Sequence, residues 1–549
     1  MNLELPEIRP EDRTPLVEAL LAMIRLLVDR VGQFEATVQQ LRDEIARLQG
    51  QPPRPEIKPS RLEPKTTRPP GSPRPASAKR PKTAELHIDQ EKPLHLDNPP
   101  SGATFRCYEP YVVQELLIRT ETTRYLRARY DLPGGGSVLA PFPAGVLPVE
   151  GGHFGANLVA YILDQYHQAQ VTEPLLLEQL WEYGIAISAG QLHRILTENK
   201  EHFHREKAEL LAAGLSASSY IAADDTAARH QGQNGYCTVV GNDLFAYFES
   251  APKKSRLNFL QLLHGEHCAY TINETTVAYW KRQKLPAAVV AALTQGPQEF
   301  AGPQAWQARL AEVAISHEQQ VRVASEGALL GGLVARGIAP ALGVLSDGAH
   351  QFIIFVHAAC WVHVERPLAK LIPKNEDHRV AIEHLRGQIW ELYQDLKRYR
   401  ANPDAAQRPL LEARFDALVA QPTDYPSLAR VLKDMASQKA DLLRVLERPE
   451  IPLHNNAMES DIREFVKRRK ISGGTHNEAG RRCRDTFASL KKTCRKLGLR
   501  FWSYLQDRVR GRGQIPRLAD LIRQHAQAAT AKTVAAVPAP AMPTGTANA

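Results

Sequence analysis

The sequence predicts an α/β fold in which a small sheet carries acidic residues and long helices are inserted around it. Three observations predict it. An apolar run, Tyr220-Ile221-Ala222-Ala223, leads into Asp224-Asp225-Thr226; two strand-like runs, 236–240 and 244–248, are joined through Gly241-Asn242-Asp243; and a further apolar run, 341–345, leads into Ser346-Asp347-Gly348. Short apolar runs bounded by turn residues read as buried strands, and a Gly/Asn/Asp cluster between two of them reads as a hairpin turn.

At 549 residues the chain is too long for one compact unit. A net charge of +9 and a pI near 9.1 favour a polyanionic partner, because Lys and Arg release counterions condensed on phosphates. No run of eighteen apolar residues is present, and the N-terminal residues lack the basic-then-apolar order of a secretion signal. The expected location is therefore the cytoplasm, with no membrane partner. The six cysteines lack any CxxC pair, which suits reduced thiols rather than a disulfide framework.

Taken in order, residues 12–50 predict a self-associating coiled coil. Leu20, Ile24, Leu27, Val31, Phe34, Val38, Leu41, Ile45 and Leu48 alternate four-and-three spacings, so one apolar stripe runs along the helix. Residues 51–82 form a Pro-rich basic linker. Residues 83–204 are expected to be a mixed α/β, DNA-binding region, opening with strands at 111–119 and 124–130. Within it, apolar-periodic segments 175–183 and 189–196 flank Gly184–Ser188 like a helix-turn-helix, with Ser188 as N-cap. Gln191, His193 and Arg194 would then read DNA, although such turns are also common in purely structural bundles. The main core is assigned to 205–510, with helical insertions at about 266–340 and 364–450, followed by a disordered Ala/Pro/Thr tail at 526–549.

Asp224, Asp347 and Glu459 form the candidate chemistry. Two Mg²⁺ about 3.5–4 Å apart can activate a nucleophile and stabilise a leaving oxyanion at phosphorus, and they require hard oxygen ligands. Singly, each acid has a structural explanation, as a turn-capping Asp or a Glu that complements a helix dipole. Asn455-Asn456-Ala457-Met458-Glu459 opens a helix, so the order is strand Asp, strand Asp, helix Glu.

The blocks Ala223-Asp224-Asp225-Thr226, Ser346-Asp347-Gly348, Cys360-Trp361-Val362-His363 and Asn455-Asn456-Ala457-Met458-Glu459 resemble those of the insertion sequence 66 family of transposases. The resemblance covers roughly 223–509. It implies an RNase H-like catalytic core, an Asp-Asp-Glu triad that holds two Mg²⁺ or Mn²⁺, and cleavage of transposon ends followed by strand transfer into target DNA. Terminal inverted repeats and target DNA are the implied partners, with homo-oligomers formed through the coiled coil and a nucleoid-associated bacterial location. Carried over by residue, the triad is Asp224, Asp347 and Glu459. Asp225 is a rival to Asp224, since a one-residue register change swaps strand faces. Asn455 and Asn456 are expected to cap and orient the Glu459 helix; His363 and Arg366 are expected to approach the site, supporting its acids or contacting phosphate, although a core-facing helix explains them equally well. Two departures stand out. His87, His95 and Cys107 have no zinc-finger spacing, so no zinc finger is predicted, and 227–235 differs from the commonest family pattern.

Basic residues follow Glu459 in quantity. Arg463, Lys467, Arg468, Arg469, Lys470, Arg481, Arg482, Lys491 and Lys492 have few balancing acids, which predicts contact with the DNA backbone. Two rival functions remain open from the sequence: a metal-dependent nuclease that does not join strands, and a non-catalytic DNA-binding regulator derived from a transposase.

Overall fold

A computed structural model describes residue 17, residues 87–143 and residues 153–535. Apart from Val17, the coiled coil expected at 12–50 and the linker at 51–82 lie outside the described residues. The chain divides into two units, a smaller one of residues 1–67, 362–393 and 416–436 and a larger one made of the rest.

In the larger unit, residues 111–128 contain no regular structure, contrary to the strands expected there; a short hairpin, β1 (Arg129–Asp131) and β2 (Ser137–Leu139), follows instead. Tyr111, Leu116, Leu117 and Leu126 are exposed, so the β-forming side chains of this stretch have no cross-strand neighbours to pack against. Four helices come next: α1 (Ala156–His167), α2 (Glu173–Glu182), α3 (Ala189–Thr197) and α4 (Glu201–Ser216). The turn between α2 and α3 forms as expected. Gly184 takes φ +75, and Ser188 caps α3 in a reciprocal capping box with Gln191.

The central sheet has five strands. They are β3 (Tyr220–His230), β4 (Gln233–Gly241) and β5 (Ala246–Ala251), and, beyond an insertion, β8 (Gly343–Ser346) and β9 (Val356–Ala359), in the spatial order β5-β4-β3-β8-β9. The first three are antiparallel, while β3–β8 and β8–β9 are parallel. β3 does not stop at its acids. It pairs with β4 as far as His230↔Gln233, so Asp224 sits mid-strand, opposite Val239.

The insertion between β5 and β8 holds α5 (Arg256–His264), α6 (Glu274–Arg282), α7 (Ala287–Thr294), α8 (Pro303–Glu312) and α9 (Glu318–Ala335). It also holds an unforeseen two-stranded ribbon, β6 (Ala269–Thr271) and β7 (Glu299–Ala301). α9 lies on this ribbon, and a Cβ at Gly331 or Gly332 would collide with the Thr271 or Ala269 carbonyl, so only glycine allows the approach.

After β9 come α10 (Trp361–Ala369), α11 (Glu376–Ala401), α12 (Arg408–Val419), α13 (Pro426–Ser437) and the short α14 (Lys439–Leu442). In the smaller unit, Arg386 pairs with buried Glu365 at 2.6 Å and His378 stacks on Tyr425. The larger unit closes with α15 (Asn456–Ser472), α16 (Glu478–Lys496), α17 (Phe501–Arg510) and α18 (Leu518–Ala535). α18 runs past the expected start of the tail at 526, because alanine-rich sequence sustains helix.

α16 lies along β5, the edge strand. Thr493, Ser489 and Asp485 accept the backbone N–H groups of Ala246, Phe248 and Ser250 at 3.2, 2.9 and 2.9 Å. A four-residue helical repeat thereby matches a two-residue strand repeat, and side chains satisfy the open edge.

Candidate active site

β3 and β8 place two of the expected acids side by side. Their parallel register pairs Ala222 with Leu345, and two residues further along each chain come Asp224 and Asp347. Burial pushes the Asp224 carboxyl up to about 7, its backbone bond from Asp225 N at 2.8 Å opposes this, and the charges of Asp347, Glu459 and Asp225 add to the rise. The charges of Asp347 and Glu459, from distant chain segments, thus reach Asp224. Among the described residues, no three His, Cys, Asp or Glu side chains are gathered tightly enough to hold an ion as they stand. Like charges oppose such gathering, and each partner acid has its own tie: exposed Asp347 accepts Ala349 N at 3.0 Å, and buried Glu459 lies 3.4 Å from Arg463.

Glu459 occupies the first turn of α15, and Asn455 stands at its N-cap position. The expected side-chain cap is not formed. Instead, the buried Asn455 amide donates to the Ala223 carbonyl at 2.8 Å, tying the start of α15 to the residue before Asp224. Asn455 N donates to Cys360 Sγ at 3.2 Å, and Trp361 N donates to the Leu453 carbonyl at 3.0 Å. The Cys-Trp and Asn-Asn blocks thus hold one another. Asn456 is the first helical residue of α15. His363 belongs to the smaller unit, where it meets Arg366 at 2.8 Å.

Asp225 is engaged differently from Asp224. Lys254 lies 2.8 Å from one of its carboxylate oxygens, and Gln351 donates to the other at 2.7 Å. Burial disfavours the Lys254 charge, but Asp225, Asp347 and Asp224 outweigh it and raise its pKa. A cavity of about 440 Å³ opens beside Asp225 and Lys254. Lys254 and Gln351 were not singled out from the sequence; the only signal was a Lys253-Lys254 pair following the hairpin.

The family model described as "Transposase IS66 family" matches residues 350–482, a span that includes the Cys-Trp block, Asn455 and Glu459 and begins just beyond Asp347. The chain belongs to the insertion sequence 66 family of transposases. It is also 39% identical over 317 residues to "Uncharacterized protein y4jO" of Sinorhizobium fredii (strain NBRC 101917 / NGR234), a match that covers 57% of this chain and 99% of that protein. No solved structure matches the chain. No helix among the described residues is long and apolar enough to cross a membrane.

Membership of a transposase family implies DNA binding, and the structure sorts the basic residues that were expected to provide it. Arg194, Arg463, Lys467, Lys470 and Arg482 are exposed. Arg481 and Arg482 pair with Glu478 and Glu266 at 2.6 and 3.3 Å. Arg468 lies over the Tyr166 ring, 4.0 Å from its centroid, and donates to the Tyr166 carbonyl; Arg469 donates to the Ala227 carbonyl of β3. Lys491 and Lys492 correct the expectation. Both are buried on α16, where Glu464 of α15 pairs with each and Asp461 lies 3.3 Å from Lys492. Lys491 also donates to the His167 carbonyl at the end of α1 at 2.8 Å, so the neighbours α1 and α15 enclose these lysines, which serve helix packing. Gln191 is likewise engaged by Ser188, while His193 bridges Glu173 and Asn477 at 3.1 and 3.3 Å.

Proposed function

We propose that this chain is a DNA transposase that cleaves transposon ends and joins the exposed 3′-hydroxyl to target DNA, with Asp224, Asp347 and Glu459 as the acids that hold two Mg²⁺ or Mn²⁺. The observation that carries this reading is that Asp347, just past the end of β8 beside β3, and Glu459, in the first turn of α15, both act on Asp224 in a member of a transposase family. The sheet order, three antiparallel strands followed by two parallel ones, supports an RNase H-like core.

The donor set suits the proposed ions. Three carboxylates offer only hard oxygens, and their repulsion is the kind a divalent cation relieves. When bound, such ions supply Lewis-acid activation of the nucleophile and neutralise charge on the leaving oxygen. The remaining work belongs to the protein. Asn455 sets the entry of α15 and so the reach of Glu459, while Lys254 and Gln351 engage the two oxygens of Asp225. Both chemical steps are in-line displacements at phosphorus, so a single site serves cleavage and joining. Exposed basic side chains of α15 contact the DNA backbone, and the coiled coil expected at 12–50 joins copies of the chain.

The deciding experiment uses purified full-length protein, Mg²⁺ and labelled DNA carrying the repeats that flank its reading frame. Asp347→Asn should abolish both cleavage and joining while DNA affinity and melting temperature stay near those of the parent. Retained joining would refute the triad. Cleavage without joining by the parent protein would favour a nuclease, and neither activity would favour a regulator.

A further inference from the structure

The end of β8 is fixed by buried polar groups that the triad does not use. Ser346 has no exposed surface; its hydroxyl accepts Gly348 N–H at 3.1 Å and lies 2.9 Å from Nε2 of His357 on β9. His357 is itself buried, and its Nδ1 lies 2.8 Å from the Asp441 carboxylate on α14. With a neutral imidazole whose Nδ1 faces a carboxylate, donor bookkeeping gives one arrangement. The Ser346 hydroxyl receives the Gly348 proton and donates its own to Nε2, which leaves Nδ1–H for Asp441. Arg444 secures the far end, donating from Nε to the His357 carbonyl at 3.1 Å and approaching Asp441 at 3.5 Å.

A serine, a histidine and an aspartate in this order have the spacing of a nucleophilic relay, yet Ser346 offers no access to a substrate and its oxygen is already engaged by Gly348. What the chain of bonds does control is the turn Ser346-Asp347-Gly348. Gly348 adopts φ +87, and Asp347 is exposed, so hydrogen bonds rather than packing decide where its carboxylate points.

We propose that His357 is a positioning residue for the acid cluster: held by Asp441, it fixes the Ser346 hydroxyl as acceptor for Gly348 N–H and so locks the turn that carries Asp347. This rests on the assignment of Asp347 as a metal-holding acid. Groups that orient metal-binding carboxylates typically change metal affinity or activity by about 10–100-fold when removed.

The test compares full-length Ser346→Ala, His357→Asn, His357→Gln and Asp347→Asn. Mn²⁺ alone is titrated by the paramagnetic resonance of the free ion, with DNA joining rate and melting temperature measured in parallel. The Gln amide reaches the position of Nε2 and keeps the Ser346 bond; the Asn amide reaches that of Nδ1 and keeps only Asp441. Ser346→Ala and His357→Asn should weaken Mn²⁺ binding about 10–100-fold at parental melting temperature, and His357→Gln should stay close to the parent. Parental Mn²⁺ affinity in Ser346→Ala, or equal losses in the two His357 variants that follow their loss of melting temperature, would overturn the proposal. Asp347→Asn separates the two ideas. If it loses Mn²⁺ and joining while Ser346→Ala does not, only the positioning role fails; if it matches the parent, the triad itself fails.

Discussion

Asp224 holds its proton more tightly than an ordinary aspartate because it is buried and faces other carboxylates, which move it from 3.8 to about 7. Between those two values the folded chain binds more protons than the unfolded one, so this group's contribution to stability is complete below the lower value and is lost as pH rises through about 7. Metal-free parent protein should therefore lose melting temperature relative to Asp224→Asn across that window, and superimposable pH profiles would contradict the desolvation of Asp224 and its repulsion by neighbouring acids. Asn455 supports a second expectation at this scale. Its side chain satisfies the buried Ala223 carbonyl, and Asn455→Ala should cost about 1–3 kcal/mol in denaturant unfolding. The joining rate should fall further than stability explains, since Glu459 follows one turn later on the same helix. The sequence marked Asn455 by its neighbours in the motif but misread its bond: N-cap spacing points to a local acceptor, and only the fold brings Ala223 within reach.

At the scale of elements, periodicity disclosed most helices and the sheet strands, while contacts between elements stayed hidden. The basic run after Glu459 read as one DNA-facing surface because charge was counted along the chain and not around the helix. Asp485, Ser489 and Thr493, spaced by four, form the face that covers the β5 edge, while Lys491 and Lys492 turn to other neighbours and are enclosed with Glu464, Asp461 and the His167 carbonyl. Burial alone would raise the Glu464 pKa, yet the two lysines bring it down to about 2, so their charge is spent within the protein. Ser489→Ala leaves the Phe248 N–H buried without its acceptor and should destabilise the chain by about 1–3 kcal/mol. Hydrogen exchange should then quicken at Phe248 more than at β3 amides; uniform exchange across the sheet would argue that the edge is satisfied in some other way.

For the whole molecule, three acids far apart in sequence are brought into one region because β3 takes β8 as a parallel neighbour and Asn455 binds back to β3, both long-range events that no local window records. What remained legible was the order of the acids, together with a net charge of +9 that favours a polyanionic partner. That charge is not uniformly available. Lys467 and Lys470 are exposed on α15, whereas Lys491 and Lys492 are neutralised on α16. Each cation that neutralises a DNA phosphate releases counterions, so removing one lowers the salt dependence of binding by about one power of salt concentration, with little regard to base sequence. The double variant Lys467→Ala and Lys470→Ala should therefore flatten a plot of log affinity against log salt by about one to two, equally on terminal-repeat and unrelated DNA. Lys492→Met should leave that slope unchanged and lower the melting temperature instead, because the lost partner is Glu464 rather than phosphate. If the slope follows Lys492 and ignores the exposed pair, DNA does not run along α15, and the buried lysine-bearing face of α16 must open for substrate.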